Sequence, residues 1–197
     1  MDASPISLLA FDLGGVLLSS SAIHGTYAQI APANVERLDA FQREIRHDLW
    51  SGALSEADYW QAVAVRAGVP AEPERWRALV TDACTPLPAV TRLAAWTALV
   101  PLAVLSNHRH EWLEAPLAEH GILPFISKLF ISDLVGRVKP DRDAFGLLTA
   151  LAPANEVLFV DDQQQNLDAA AALGIQTLHA DEDGRWIAEL DRRLGLA

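Results

Sequence analysis

Four separated stretches of this chain end in side chains that could do chemistry. Asp12 closes the apolar run "LLAFDLGGVLL", Ser106 and Asn107 follow "LAVL", Lys139 stands in "GRVKPD", and Asp161 and Asp162 stand in "LFVDDQQQN". Together they supply a carboxylate nucleophile, a hydroxyl, an amide, an ammonium and a carboxylate pair. That is equipment for phosphoryl transfer assisted by a metal ion. A phosphate ester is an anion, so an attacking aspartate meets like-charge repulsion that a hard divalent cation and a lysine would screen. Mg²⁺ suits the task because it takes oxygen ligands and keeps several waters. The expected ligands are Asp12, the backbone carbonyl of Gly14 and Asp162, with Asp161 on the ion or directly behind it. Ser106 and Asn107, joined by the adjacent His108, are expected on the phosphate, and Lys139 offsets charge on nucleophile and substrate.

Those residues need a scaffold that gathers distant segments at one rim. Unalternated apolar runs at Leu8–Phe11, Leu102–Leu105, Leu129–Ile131 and Val157–Val160, with a fifth at Ile175–Leu178, predict strands covered on both faces. Helical patterns lie between them: Pro88–Ala98, Arg109–Glu119, Asp141–Leu151 and Gln164–Leu173, the last closed by Gly174. Alternation of this kind predicts an α/β fold, a Rossmann-like doubly wound parallel sheet, in which ligands bind beyond the carboxyl ends of the strands. From Ile23 to about Ala83 no strand is apparent and the spacing is helical throughout, with a capping-box pattern at Ser55 and Asp58 and a break at Ser51 and Gly52. The expected organisation is a core of residues 1–18 and 85–197 and a helical insertion of residues 19–84.

The motifs "FDLGGVL", "VLSN", "VKPD" and "VDDQQQNLDAAAALGI", in that order, resemble those of the haloacid dehalogenase-like hydrolase superfamily over nearly the whole chain. The first matches the branch that reads "FDxGGV", and the insertion sits where the subclass I helical cap belongs. The resemblance implies an Asp12 nucleophile that forms a covalent aspartyl intermediate, dependence on Mg²⁺, and a mobile cap over the site. It also marks a departure. Phosphatases of this superfamily usually carry a second aspartate two positions after the nucleophile, serving as general acid and then base, and here that position is Gly14. Loss of proton transfer typically costs about 10²–10⁴-fold in rate. The sequence therefore points to a slow enzyme, to leaving groups that depart without a proton, or to a donor from elsewhere, with His24 and His108 nearest along the chain.

Other readings carry their own marks. A 2-haloacid dehalogenase shares the aspartyl nucleophile and often the lack of a second aspartate but needs no metal, so the pair Asp161 and Asp162 speaks for phosphate chemistry. A catalytically silent protein that binds a phosphorylated ligand would tolerate Gly14. A receiver domain has its acidic pair early in the chain, and here the pair comes last. His108, Arg109 and His110 read as decoration of a loop and helix start rather than as metal ligands, and Trp50, Trp60 and Trp76 as packing within the insertion.

Composition narrows the partners. With 26 acidic against 15 basic side chains the formal charge is −11, which repels nucleic acid and anionic membranes, so an anionic substrate needs local cations. The single cysteine, Cys84, allows no internal disulfide and reads as a small buried residue. "MDASPISLL" lacks the cationic start of a secretion signal, and Leu93–Leu105 contains Pro101 and is too short to span a bilayer. The expectation is a cytoplasmic protein, monomer or homodimer, acting on a small phosphorylated metabolite, with no nucleic acid or membrane partner.

Overall fold

The computed structural model describes residues 5–20 and 22–196. Five strands, β1 (Leu8–Phe11), β2 (Leu102–Ser106), β3 (Ile126–Ile131), β4 (Val157–Asp161) and β5 (Gln176–His179), form one sheet in the order β3-β2-β1-β4-β5, every pair parallel. β1, β2 and β4 are buried along their whole length, which is why their sequences run apolar without alternation. The chain fills one side of β1 with β2 and β3, then crosses to the other with β4 and β5. The reversal between β1 and β4 is where such sheets open a binding crevice.

The insertion after β1 carries the helices α1 (Ala22–Ile30), α2 (Val35–Glu44), α3 (Arg46–Ser51), α4 (Glu56–Ala67) and α5 (Pro73–Ala83). Ser55 caps α4 as its sequence predicts, its hydroxyl accepting from the Asp58 backbone N–H at 3.1 Å. The remaining helices, α6 (Leu93–Thr97), α7 (Glu114–Glu119), α8 (Ser132–Val135), α9 (Arg142–Thr149), α10 (Gln164–Ala171) and α11 (Arg185–Arg193), belong to the sheet domain. One hydrophobic cluster runs from Leu9, Phe11 and Trp96 into Leu38, Trp60 and Trp76 of the inserted helices. A second fills the opposite face of the sheet with Phe145, Leu148, Phe159 and Leu167.

Several elements differ from the sequence pattern, each for a local reason. Pro88–Arg92 is a 3-10 turn ahead of a short α6, and the Thr91 hydroxyl donates to the Pro88 carbonyl at 2.8 Å, competing with a regular helix. The pattern over Arg109–Glu119 splits because Pro116 would clash with a helical carbonyl four residues earlier, so α7 starts at Glu114. β3 begins at Ile126, three residues before its apolar run. It is an edge strand whose Ser127 and Lys128 are exposed, so polarity there does not break the pairing.

Two buried charges fasten the inserted helices to the sheet domain. Glu56, at the start of α4, accepts from Trp60 Nε1 at 3.1 Å, from Trp112 Nε1 at 2.7 Å and from Arg77 Nε at 2.8 Å, with a further Arg77 bond to its other oxygen. Trp112 lies in the sheet domain, so one carboxylate joins both parts. In return Arg109, 5% exposed, reaches from the sheet domain to donate to the Leu54 carbonyl at 2.7 Å. Gly52, at φ +80°, packs so closely on the Asp133 carbonyl that a Cβ would collide with it.

Burial raises the Glu56 pKa, but the bonds from Arg77, Trp112 and Trp60 outweigh it and hold the group below the ordinary glutamate range. Its contribution is therefore present above the ordinary value of 4.5 and lost as pH falls through the lower folded value. Glu56→Ala leaves two indole N–H groups unpaired, and urea unfolding at pH 7 is expected to show a loss of about 2 kcal/mol or more. A loss below about 0.5 kcal/mol would show that the carboxylate does not fasten the two parts together.

Candidate active site

The register of the sheet builds the site. Phe11 pairs with Val160, so the next residues, Asp12 and Asp161, leave adjacent strands side by side at the carboxyl rim. Asp162 follows one residue later, and oxygens of all three carboxylates lie within 4.8 Å of one another. Lys139 Nζ, almost wholly buried, sits 3.0 Å from Asp12 Oδ2 and 2.6 Å from Asp161 Oδ2. The rest of the Asp12 carboxylate accepts the Leu13 backbone N–H at 2.7 Å, which fixes its orientation just past the strand.

Asp161 is fully buried and fully engaged. Beyond Lys139 it accepts from the Gln163 backbone N–H at 2.8 Å and from Asn166 Nδ2 at 3.0 and 3.1 Å. It thus ties the start of α10 to the lysine and stands behind the reacting groups. Asp162 is the opposite case. Its Oδ1 is buried with no hydrogen-bond partner among the described residues, as is Asn166 Oδ1 on the same wall. Burial, then the neighbouring Asp12 and Asp161 charges, raise the Asp162 pKa from 3.8 to about 6. Gly15, at φ +73°, lies against Asp162 so closely that any Cβ would collide with its carboxylate.

These features fit a divalent cation. Three ionised carboxylates around one ammonium leave two negative charges uncompensated. The oxygen-only donor set is the kind that hard ions take. An unpaired buried carboxylate oxygen is costly unless something binds it. Asp12 and Asp162, with Gly14 beside them on the cavity wall, could hold such an ion.

Above the rim is a cavity of about 300 Å³ lined by Asp12, Gly14, Ser106, Asn107, His108, Lys139 and Asp162 from the sheet domain. The inserted helices close it with His24, Asp39, Gln42, Arg46 and Trp50. Every residue predicted for the site is therefore in or directly behind one cavity. Two are used differently from the sequence expectation. Asn107 spends its amide on a two-bond clamp of the Lys139 backbone, donating to its carbonyl at 2.7 Å and accepting its N–H at 2.8 Å. It positions the lysine, leaving the Ser106 hydroxyl as the side-chain donor from β2. His108 donates from Nδ1 to the Arg109 carbonyl at 3.1 Å, and its ring packs on Trp50 and Trp112. Burial lowers its pKa, so it is a neutral wall of the cavity near pH 7.

Sequence reasoning missed two residues. Arg109 carries the contact described above, and no spacing signals a pairing to a carbonyl 55 residues away. Asn166 orients Asp161, and its place in "DDQQQN", one turn into a helix that starts at the acidic pair, is the signal that could have found it. His110, Glu111 and Asp133 form a further cluster, but the Arg109 guanidinium lies 2.7 Å from Glu111 and 3.6 Å from Asp133 and supplies its positive charge.

The haloacid dehalogenase-like hydrolase family matches residues 6–174, and the chain belongs to that family. No curated protein matches it in sequence. Among solved structures, a predicted HAD-like family hydrolase from Porphyromonas gingivalis superposes with a TM-score of 0.80 at 23% identity, covering 97% of this chain and 98% of its own. A HAD-family enzyme from Bacteroides thetaiotaomicron, solved with magnesium and inorganic phosphate, gives 0.73 at 22% identity over 88% and 93%. The L-2-haloacid dehalogenase from Xanthobacter autotrophicus gives 0.66 at 20% identity over 88% and 77%. No described helix is long and apolar enough to cross a membrane.

The raised Asp162 pKa has a definite sign. Without metal, this group costs stability above about pH 6, and the cost fades as pH falls toward 3.8. Asp162→Asn is expected to raise the metal-free protein's stability at pH 7.5 by about 1–2 kcal/mol, allowing for screening at the open side of the site. The same variant is expected to lose the rise in melting temperature that Mg²⁺ gives the wild type. Thermal melts with EDTA and with Mg²⁺ measure both, and a Mg²⁺ response surviving in Asp162→Asn would remove the residue from the ion.

Proposed function

We propose that this hydrolase is a Mg²⁺-dependent phosphatase acting on a small phosphorylated metabolite through an aspartyl-phosphate formed on Asp12. The observation that carries the reading is the uncompensated charge at the rim: three carboxylates share one lysine, and one of them keeps a buried oxygen unpaired. Halide displacement by Asp12 needs no cation, whereas the unpaired buried oxygen of Asp162 favours one. The Bacteroides enzyme solved with magnesium and phosphate supports the same reading at the level of shared fold.

The residues act as follows. Asp12, held by the Leu13 N–H and facing Lys139, presents a carboxylate oxygen to phosphorus. Ser106 and the Lys139 ammonium bind oxygens of the transferring group, and the Asn107 clamp keeps the lysine in place. Asp161 neutralises the buried lysine and anchors Asn166. Mg²⁺, held by Asp12, Asp162 and the Gly14 carbonyl, would supply positive charge to the phosphoryl oxygens. Water attack on the aspartyl-phosphate then frees phosphate and restores Asp12. The inserted helices, residues 19–84, serve as a cap that closes the cavity over residues 1–18 and 85–197 and presents Arg46 and Trp50 to the rest of the substrate.

The test is a panel of phosphorylated metabolites and an aryl phosphate, assayed with Mg²⁺ and with EDTA, for wild type and Asp12→Asn. Phosphate release that needs Mg²⁺ and falls about 10³-fold or more in the variant is expected. Halide release from 2-haloacids without metal would replace the reading with a dehalogenase. Metal-dependent binding of phosphate with no turnover on any ester would replace it with a ligand-binding protein.

A further inference from the structure

An alcohol leaving from a phosphate ester departs as an alkoxide unless a proton reaches its oxygen as the bond breaks, and that proton has to come from the wall of this cavity. Gly14, beside the nucleophile, offers no side chain. A Cβ placed there would meet only Ser20, at 3.8 Å, so the space next to Asp12 opens toward the start of α1. The proton-bearing groups around the space can be sorted by what already holds them. Lys139 is bound between Asp12 and Asp161. Arg46 carries a guanidinium, a hydrogen-bond donor to anions. His108 packs on Trp50 and Trp112 and has at Nδ1 the Arg109 carbonyl, which carries no charge to balance an imidazolium.

Asp162 is taken up by the cation, and His24 is the histidine left, in the first turn of α1 and on the cavity wall. Its Nδ1 lies 2.8 Å from Oδ2 of Asp39 on α2, and Asp39 lines the same cavity. That contact fixes Nδ1 as the protonated nitrogen and leaves Nε2 to gain and lose a proton, with a carboxylate behind the ring to balance the imidazolium. The ring is largely open to solvent, so it can exchange its proton between steps. Both groups sit on the inserted helices, and those helices are fastened to the sheet domain by Glu56 and Arg109, which gives the pair a fixed height above the rim.

We propose that His24, oriented by Asp39, is the general acid and base of the reaction, delivered from the cap to the space that Gly14 leaves open. This rests on the phosphatase reading above. In the first step Asp12 Oδ bonds to phosphorus, the bond from phosphorus to the ester oxygen breaks, and Nε2–H of the imidazolium passes to that oxygen, releasing the alcohol and a neutral imidazole. In the second, Nε2 takes a proton from water as the water oxygen bonds to phosphorus. The bond from phosphorus to Asp12 then breaks, which restores the carboxylate and the imidazolium and frees phosphate.

The test compares kcat/KM, which reports the first step, for an alkyl and an aryl phosphate with Mg²⁺ in wild type, His24→Gln, and His24→Gln combined with Gly14→Asp. His24→Gln is expected to lower the alkyl value about 10²-fold or more and the aryl value less than about 3-fold, since an aryl oxide leaves unaided. Adding Gly14→Asp, whose Cβ would meet only Ser20 in ordinary contact and at no positive φ, is expected to restore at least about tenfold of the alkyl loss by placing an acid beside the nucleophile. An equal fall on both esters, no fall, or no restoration would overturn the assignment of His24 while the phosphatase reading stood. No metal-dependent turnover of either ester by the wild type would overturn both together.

Discussion

Three carboxylates held around one buried ammonium are the constraint on which the rest of this protein is built. Asp12, Asp161 and Asp162 repel one another, and Lys139 balances only one of them. Keeping them together requires rigid placement, and the parallel sheet provides it: the Phe11 and Val160 register sets Asp12 beside Asp161 with no freedom to spread. The lysine arrives from a loop after β3 and is held there by its backbone, through Asn107 on the end of β2. Asn166 and the Gln163 N–H take up the remaining lone pairs of Asp161. What stays unbalanced is Asp162, and that imbalance is what a divalent cation would relieve.

The inserted helices are joined to this frame by buried polar contacts as well as by a shared apolar cluster. Glu56 takes indole N–H bonds from both sides of the boundary, and Arg109 reaches back to a carbonyl of the insertion. Buried charges of this sort are costly to break because each leaves a partner without its bond. The superfamily resemblance implies a mobile cap, yet the contacts here hold the helices down over the cavity. Opening would have to separate Glu56 from Trp112 and Arg109 from Leu54 together.

Much of this was legible in the sequence, and the reason is physical. Strands buried on both faces must be apolar throughout, so β1, β2 and β4 declared themselves, and the polar residue that ends each run had to lie at the ligand-binding rim. The helical character of residues 23–83 followed from spacing alone. The rest depended on pairings between distant segments. Arg109 looked like a loop decoration because its partner is a backbone carbonyl, which carries no residue type to recognise. Asn107 looked like a phosphate ligand because its clamp on Lys139, 32 residues on, exists only after folding. The edge strand β3 was read short because one side of it needs no apolar residues at all.

The central claim is that the excess charge at the rim is a cation site formed by Asp12, Asp162 and the Gly14 carbonyl. The most direct measurement is anomalous diffraction from crystals of the full chain grown with Mn²⁺ in place of Mg²⁺. A single ion bonded to both carboxylates and to that carbonyl is the predicted result. An ion bound elsewhere, or none at these three oxygens with Mn²⁺ in excess, would contradict the account.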